Sequence, residues 1–197
     1  MPELVYKEEI RDNIVITAAR VFGKYGFRKT TMDEIAKASK KGKSTIYYYF
    51  TSKEEVFRSV VEKEAQFLRS KLISVISEDL IPQLKLKKYI YTRISTFQGL
   101  VNYYDAIKDD YLNNLPFIEE IREKYDKEEI VLIKMVIIEG IEKSVFDIDD
   151  IQNAAETLWL ILKGLEYPLI FNNVKIQDVE QRIDKILNMV FKGILRK

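Results

Sequence analysis

The chain has 197 residues, with 32 Lys and Arg against 31 Asp and Glu for a formal charge of +1, and 47% of it is apolar, including 12% aromatics. That much burial offsets chain entropy and excludes intrinsic disorder. With no Cys and no His, disulfide frameworks, thiolate nucleophiles, Ser-His-Asp chemistry and HExxH zinc sites are excluded, so a catalyst would be confined to carboxylates, Lys, Tyr or a hard metal.

The opening Met1-Pro2-Glu3-Leu4, with acids close behind, lacks the basic start and apolar stretch of a secretory signal, so a cytoplasmic location is expected. Ile10, Ile14, Ala18, Val21, Phe22 and Tyr25 follow the rhythm of one helix face, and Gly26 closes that helix. Thr31 with Glu34 is a capping box ahead of Ile35 and Ala36, and starts a short helix from Met32 to about Ser39. A four-residue link, Ser39 to Gly42, precedes a second short helix, Lys43 to Tyr49. Ser52 with Glu55 opens a long helix at Lys53, and Pro82 is expected to mark its end. Pro116 is expected to break another long segment. Asp147 to Asp150 caps a helix over Ile151 to Asn172 that carries Pro168, with a kink expected near its end, and a last helix spans about Gln177 to Leu195. No segment shows a bounded strand alternation. The longest stretch without a charge, Ile94 to Tyr104, is far below the ~18 apolar residues of a membrane span, and no membrane partner is expected. The fold reads as all-α, with roughly nine helices: a three-helix N-terminal domain over 1–52 and a larger helical bundle over 53–197.

Charge is unevenly placed. Arg20 to Lys53 holds nine basic residues against Asp33 and Glu34, a balance of +7, so the remainder carries −6. A compact basic segment attracts polyanions through its local field, although on charge alone a solvated lysine face is the better explanation. The arrangement decides between the two. A helix, a short capped helix, a four-residue link and a second short helix form the layout of a helix-turn-helix, whose second helix enters the major groove. Lys43, Ser44, Thr45, Tyr47, Tyr48 and Tyr49 supply the long cation, hydroxyls and phenols that grip phosphates and base edges. Ile46 and Phe50 are placed to anchor that helix on Phe22, Ile35 and Val56.

Ile14 to Lys53 resembles the DNA-binding domain of the TetR family of bacterial transcriptional regulators. The likeness lies in Ala18 to Phe27 (AARVFGKYGF), Thr30 to Ala36 (TTMDEIA), Thr45 to Phe50 (TIYYYF) and Ser52 to Glu54 (SKE). It implies that Thr31, Thr45, Tyr47, Tyr49 and Lys53 meet phosphates, and that Lys43, Ser44 and Tyr48 meet base edges. One departure stands out. Where family members usually place a small residue and then an aliphatic one in the turn, this chain has Lys40-Lys41.

Beyond Lys63, aromatics are dense: Tyr89, Tyr91, Phe97, Tyr103, Tyr104, Tyr111, Phe117 and Tyr125, then Trp159 and Tyr167. Each one alone reads as core, yet so many hydroxyls are easier to satisfy around a partly wet cavity. The resemblance adds that such middle helices enclose an effector pocket. The expectation is a small, mostly apolar effector held by Phe97, Tyr104, Tyr111, Phe117, Trp159 and Tyr167, with anions disfavoured for want of nearby bases. The acidic run Glu119, Glu120, Glu123, Asp126, Glu128 and Glu129 reads as exposed ion pairs along its own helix, and no metal or other cofactor is expected. Leu158, Leu162 and Leu165, with Ile183, Leu187, Val190 and Phe191, offer more apolar surface than a terminal hairpin can bury, which points to a homodimer interface. The expected protein is a ligand-responsive regulator, a repressor released from a palindromic operator on double-stranded DNA. The alternative is a helical small-molecule-binding protein or an enzyme using the Tyr/Glu-rich cavity, which would leave the basic segment without a role.

Overall fold

The computed structural model describes residues 2–100, 102, 116–171 and 176–194, with side chains for 5–96, 99, 100, 102, 117–165, 178 and 181–193. Eight helices and no strand occur among the described residues: α1 Pro2–Tyr25, α2 Met32–Ala38, α3 Lys43–Tyr49, α4 Lys53–Ile76, α5 Pro82–Gly99, α6 Pro116–Glu142, α7 Ile151–Phe171 and α8 Ile176–Ile194. The chain divides into two compact units, residues 1–65 with 101–118 and residues 66–100 with 119–197.

Local chemistry sets most boundaries in the first unit. Gly26 takes φ +78° and donates its N–H to Phe22 O at 2.7 Å, ending α1 in the left-handed conformation that glycine adopts without steric cost. Thr31 and Glu34 form the expected reciprocal capping box of α2. At α4 the Glu55 N–H donates to Ser52 Oγ, but the Glu55 carboxylate reaches one residue further back, to the N–H and hydroxyl of Thr51. Phe22, Phe27 and Phe57 form an aromatic cluster with centroids 4.9 to 5.9 Å apart. Ile35, Ile46, Phe50, Val56 and Val60 are buried in the same unit, so α3 is held by one apolar face while the rest stays exposed. Arg11 of α1 donates to Ser59 Oγ of α4 and lies 4.9 Å from the centroid of the Phe50 ring. Asn102, which is buried, donates to Ala19 O and to Glu64 Oε1.

The second unit is built on a core of α4 to α8 residues, among them Leu72, Leu86, Tyr89, Ile133, Ile137, Leu162 and Ile183. Pro82 does not end a helix here, and Pro116 breaks its segment by opening one. Each is the first residue of one, where the missing N–H is unneeded and the fixed φ is already helical. α4 stops earlier, at Ile76. Asp150 accepts the Asn153 N–H at 2.9 Å, which caps α7 as expected, and α7 runs across Pro168 to Phe171. Gly140 lets the Phe146 ring lie on α6, since a Cβ there would sit 2.0 Å from a ring carbon.

The acidic run of α6 is only in part a set of exposed pairs along its own helix, as Glu123 is with Lys127. Glu128 pairs with Arg69 of α4, Asp126 with Lys163 of α7 at 2.5 Å, and Glu129 is buried against Arg93 of α5. Leu158, Leu162, Leu165, Ile183 and Leu187, expected at a dimer interface, are buried in this unit's own core, with Val190 and Phe191 half-buried against it. α5 is the partner that the sequence pattern left unseen for those faces, and Ile90 lies among them.

Candidate nucleic-acid interface

The α2 and α3 helices are joined by a turn that ends α2 in a paired arrangement. The Lys40 N–H donates to Lys37 O at 3.2 Å and the Lys41 N–H to Ala36 O at 3.0 Å. Lys40 itself has φ +54°. This left-handed step explains why a small residue suits the position, and here a lysine carries it. Lys41, at the aliphatic place, is half-buried. The turn thus closes normally and delivers α3 over Lys43–Tyr49, with Gly42 as an extended N-cap.

On α3, Ile46 is buried while Lys43, Ser44, Tyr47 and Tyr48 are exposed, Tyr48 to 67% of its surface. Thr45 and Tyr49 are half-buried, and the Tyr49 ring meets Tyr48 edge-on at 4.9 Å. The structure thus brings Lys43, Ser44, Thr45, Tyr47, Tyr48 and Tyr49 onto one seven-residue helix with a single anchored face. Lys43 is ion-paired with Asp33 in the first turn of α2, at 2.8 Å to Oδ1 and 3.1 Å to Oδ2, a bond that raises the lysine pKa.

Two further expected phosphate groups already have intramolecular duties. The exposed Thr31 hydroxyl accepts the Glu34 N–H and donates to its carboxylate. The Lys53 ammonium donates to Phe27 O at 2.9 Å and Arg28 O at 3.4 Å, and lies 4.4 Å from the centroid of the Phe27 ring. Lys53 therefore fastens the turn after α1 to the start of α4. Sequence reasoning missed this tie and missed Thr30, a buried residue whose hydroxyl donates to Gly26 O.

Of the expected effector residues, Tyr104 and Tyr111 lie outside the described residues, and Phe97 and Tyr167 lie on α5 and α7 with side chains outside the description. Phe117 belongs to the first unit, its ring centroid 5.7 Å from the Arg58 guanidinium. Trp159 belongs to the second, half-buried, with Lys163 beside its ring and no hydrogen-bond partner for Nε1 among the described residues. The structure does not gather Phe117 and Trp159 into one unit. A cavity of about 10 Å³ between α5, α7 and α8 is lined only by aliphatic groups such as Ile90, Leu162 and Leu187, and its size is that of one water.

The polar interior of the second unit is richer than the sequence indicated. Arg93 forms a bidentate pair with Glu129, which also accepts the Tyr89 hydroxyl at 3.3 Å. Burial, then the neighbouring Glu129 charge, pushes the Tyr89 phenol well above its ordinary pKa, so it stays a neutral donor. No wet cavity is required to satisfy this tyrosine. Arg122, half-buried on the same α6 face as Asp126 and Glu129, has no partner for Nε among the described residues. No cluster with metal-ligand character occurs among the described residues.

The fold and the exposed face of α3 define a helix-turn-helix protein of the kind that presents a short reader helix on a three-helix base. Residues 14–60 match the family of bacterial regulatory proteins described as the tetR family. This N-terminal segment is thus similar to the DNA-binding domains of the TetR family. The chain is 44% identical over 55 residues to the transcriptional repressor NicS of Pseudomonas putida, covering 28% of this chain and 26% of NicS. With the Bacillus subtilis regulator YerO it shares 26% identity over 201 aligned positions, 95% of this chain and 66% of YerO. The chain thus spans less than two thirds of the length of these curated relatives. A transcriptional regulator from Cytophaga hutchinsonii superposes with a TM-score of 0.79 at 26% identity, covering 93% of this chain and 97% of the other.

Proposed function

We propose that this chain is a cytoplasmic, homodimeric, ligand-responsive repressor that binds a palindromic operator through α3. The observation that carries the reading is the anchored helix α3, with Ile46 buried beneath it and Lys43, Ser44, Tyr47 and Tyr48 turned outward within a segment of balance +7. NicS is named a transcriptional repressor and the Staphylococcus epidermidis protein IcaR a negative regulator of a biofilm operon, which favours repression. No described helix is long and apolar enough to cross a membrane.

Pairing of readers calls for a two-fold partner, because a palindrome presents two half-sites about one helical turn apart. Exposed apolar residues among the described ones that could serve include Val131, Met135 and Ile138 on α6 and Leu160 on α7. Lys134 of α6 donates to Gln152 of α7, whose amide donates on to Glu156, so the exposed faces of the two helices adjoin. A second copy laid on this apolar stripe would form a four-helix interface while leaving α8 in each protomer's core.

Effector binding is proposed in the second unit, for a mostly apolar molecule with one or two polar groups. α4 links the two functions, since its residues up to Ala65 belong to the first unit and the remainder to the second. The test is fluorescence anisotropy with the duplex upstream of the protein's own gene, alongside sedimentation. The wild-type chain should bind as a dimer, and Leu160→Glu should yield a folded monomer with weakened binding. A monomeric parent, or a duplex affinity untouched by Lys43→Ala and Tyr48→Ala, refutes the reading.

A further inference from the structure

Between Arg20 and Lys53 there are nine cations and two acids, and the structure shows what each acid does. Glu34 is committed to the α2 cap, its carboxylate accepting both the N–H and the hydroxyl of Thr31. Asp33 is the other, and of the nine cations its carboxylate takes Lys43, with both oxygens in reach of one ammonium. Lys43 is the first residue of the reader helix. Both side chains remain about two thirds exposed, at 61% and 65%, so the pair is a surface device with no part in the core.

An exposed ion pair of this sort adds little to folding, and its consequence lies in what the lysine can do next to DNA. A lysine with its charge uncompensated gains from a phosphate on any sequence, which raises affinity without discrimination. Held by Asp33, the ammonium has part of its three-donor capacity committed and its charge locally balanced. What remains is donor capacity for a base-edge acceptor such as guanine O6 or N7.

We propose that Asp33 is a positioning residue for sequence discrimination, acting through Lys43 to withhold it from phosphates and direct it to a base edge. This rests on the DNA-binding reading above. In the free protein the pair holds the ammonium beside the N-terminal turn of α2. On DNA the carboxylate, an anion in a field of phosphates, penalises registers that leave Lys43 without a base acceptor. Removal of the carboxylate releases Lys43 to the backbone: non-specific binding strengthens, and the margin between cognate and random sequence narrows.

The experiment compares wild type, Asp33→Asn, Asp33→Glu, Lys43→Ala and the Asp33→Asn/Lys43→Ala double variant, each checked for an unchanged thermal transition. Affinity is measured between 50 and 200 mM salt for a random-sequence 30-base-pair duplex and for a duplex selected by the wild type from a random pool. Each additional phosphate neutralised by the protein steepens the log–log salt slope by about 0.9, which multiplies the loss of affinity across that range by about 3.5 per protomer. Asp33→Asn should show this steeper slope, tighter random-duplex binding at 50 mM salt and a several-fold smaller ratio of selected to random affinity. Asp33→Glu should stay near wild type. In the Lys43→Ala background, Asp33→Asn should change none of these beyond a small uniform gain. Equal effects of Asp33→Asn with and without Lys43, or an unchanged selected-to-random ratio, overturn the assignment and leave the DNA-binding reading intact. A wild-type protein that binds no duplex at 50 mM salt overturns both.

Discussion

Lys40 sits where the backbone is least suited to it, and its replacement by glycine should stabilise the protein. With φ +54°, Lys40 places its Cβ against the following carbonyl oxygen, a conformation costing about 1–2 kcal/mol for a residue with a β-carbon. The turn is over-determined by the bonds to Lys37 O and Ala36 O, so the conformation persists in spite of the strain. Glycine removes the steric cost but loses about 0.5–1 kcal/mol through its freer unfolded chain. The balance favours Lys40→Gly by about 0.5–1 kcal/mol, which for a chain of this length is a rise of about 1–4 °C in Tm. Differential scanning calorimetry of Lys40→Gly and Lys40→Ala separates backbone relief from charge, because both variants lose the same ammonium and only one loses the Cβ. Both should also show the same salt dependence on DNA. A Lys40→Gly transition at or below that of Lys40→Ala would refute the argument.

The remaining predictions lie in the second unit. Glu139 bonds to Lys143 and to the buried Lys85, and those two hydrogen bonds hold its carboxyl below the ordinary glutamate pKa. A depressed carboxylate contributes stability that is present above the unfolded pKa and lost as pH falls through the lower folded value. Glu139→Gln should therefore cost about 2 kcal/mol at pH 7 in urea unfolding, with Lys85 left short of a counter-charge, and the deficit should shrink as pH falls below the ordinary glutamate range. A deficit independent of pH would show that the charge is not its source. Gly140→Ala should destabilise by about 1–2 kcal/mol, since the clash with the buried Phe146 ring outweighs the helix propensity that alanine adds. An increase in Tm for that variant would mean that the ring yields freely.

Local signals were legible wherever a few consecutive residues decide the geometry. The Thr31–Glu34 box, the Gly26 stop, the Asp150 cap and the bounds of α3 were all readable, because each depends on partners within four residues. Proline was ambiguous for a physical reason: the same ring forbids a helix interior and favours a helix start, and only the flanking packing decides between them at Pro82 and Pro116. Partners far apart in sequence were not legible. Arg93 and Glu129 are 36 residues apart, so spacing on α6 alone placed Glu129 among solvent-facing pairs. The same gap made Leu158, Leu162 and Leu187 look unpartnered until α5 was in place beneath them. Within the candidate interface, residue types were readable from the motif, whereas the Asp33–Lys43 pair and the Lys53 tie to Phe27 required the fold to bring α2, α3 and α4 together.

The burial of Glu129 also changes what an effector should look like. Anions are expected to be disfavoured for lack of bases near the aromatic positions, and the charges on the inner face of α6 bear on that expectation. Arg122, Asp126 and Glu129 recur at four- and three-residue spacing on that face, Asp126 takes Lys163, and Glu129 takes Arg93. Three cations stand against two anions, a local balance of +1. Glu129 is committed to Arg93 and Tyr89, and Asp126 to Lys163, so the cation left over is Arg122. A half-buried guanidinium whose Nε has no partner among the described residues is costly to leave dry, and a ligand carrying one acidic group would relieve that cost. For the effector site proposed in this unit, a mostly apolar monoanion would suit that balance at least as well as a neutral ligand. The balance argues against a cationic one, because Asp126 and Glu129 are already neutralised from within.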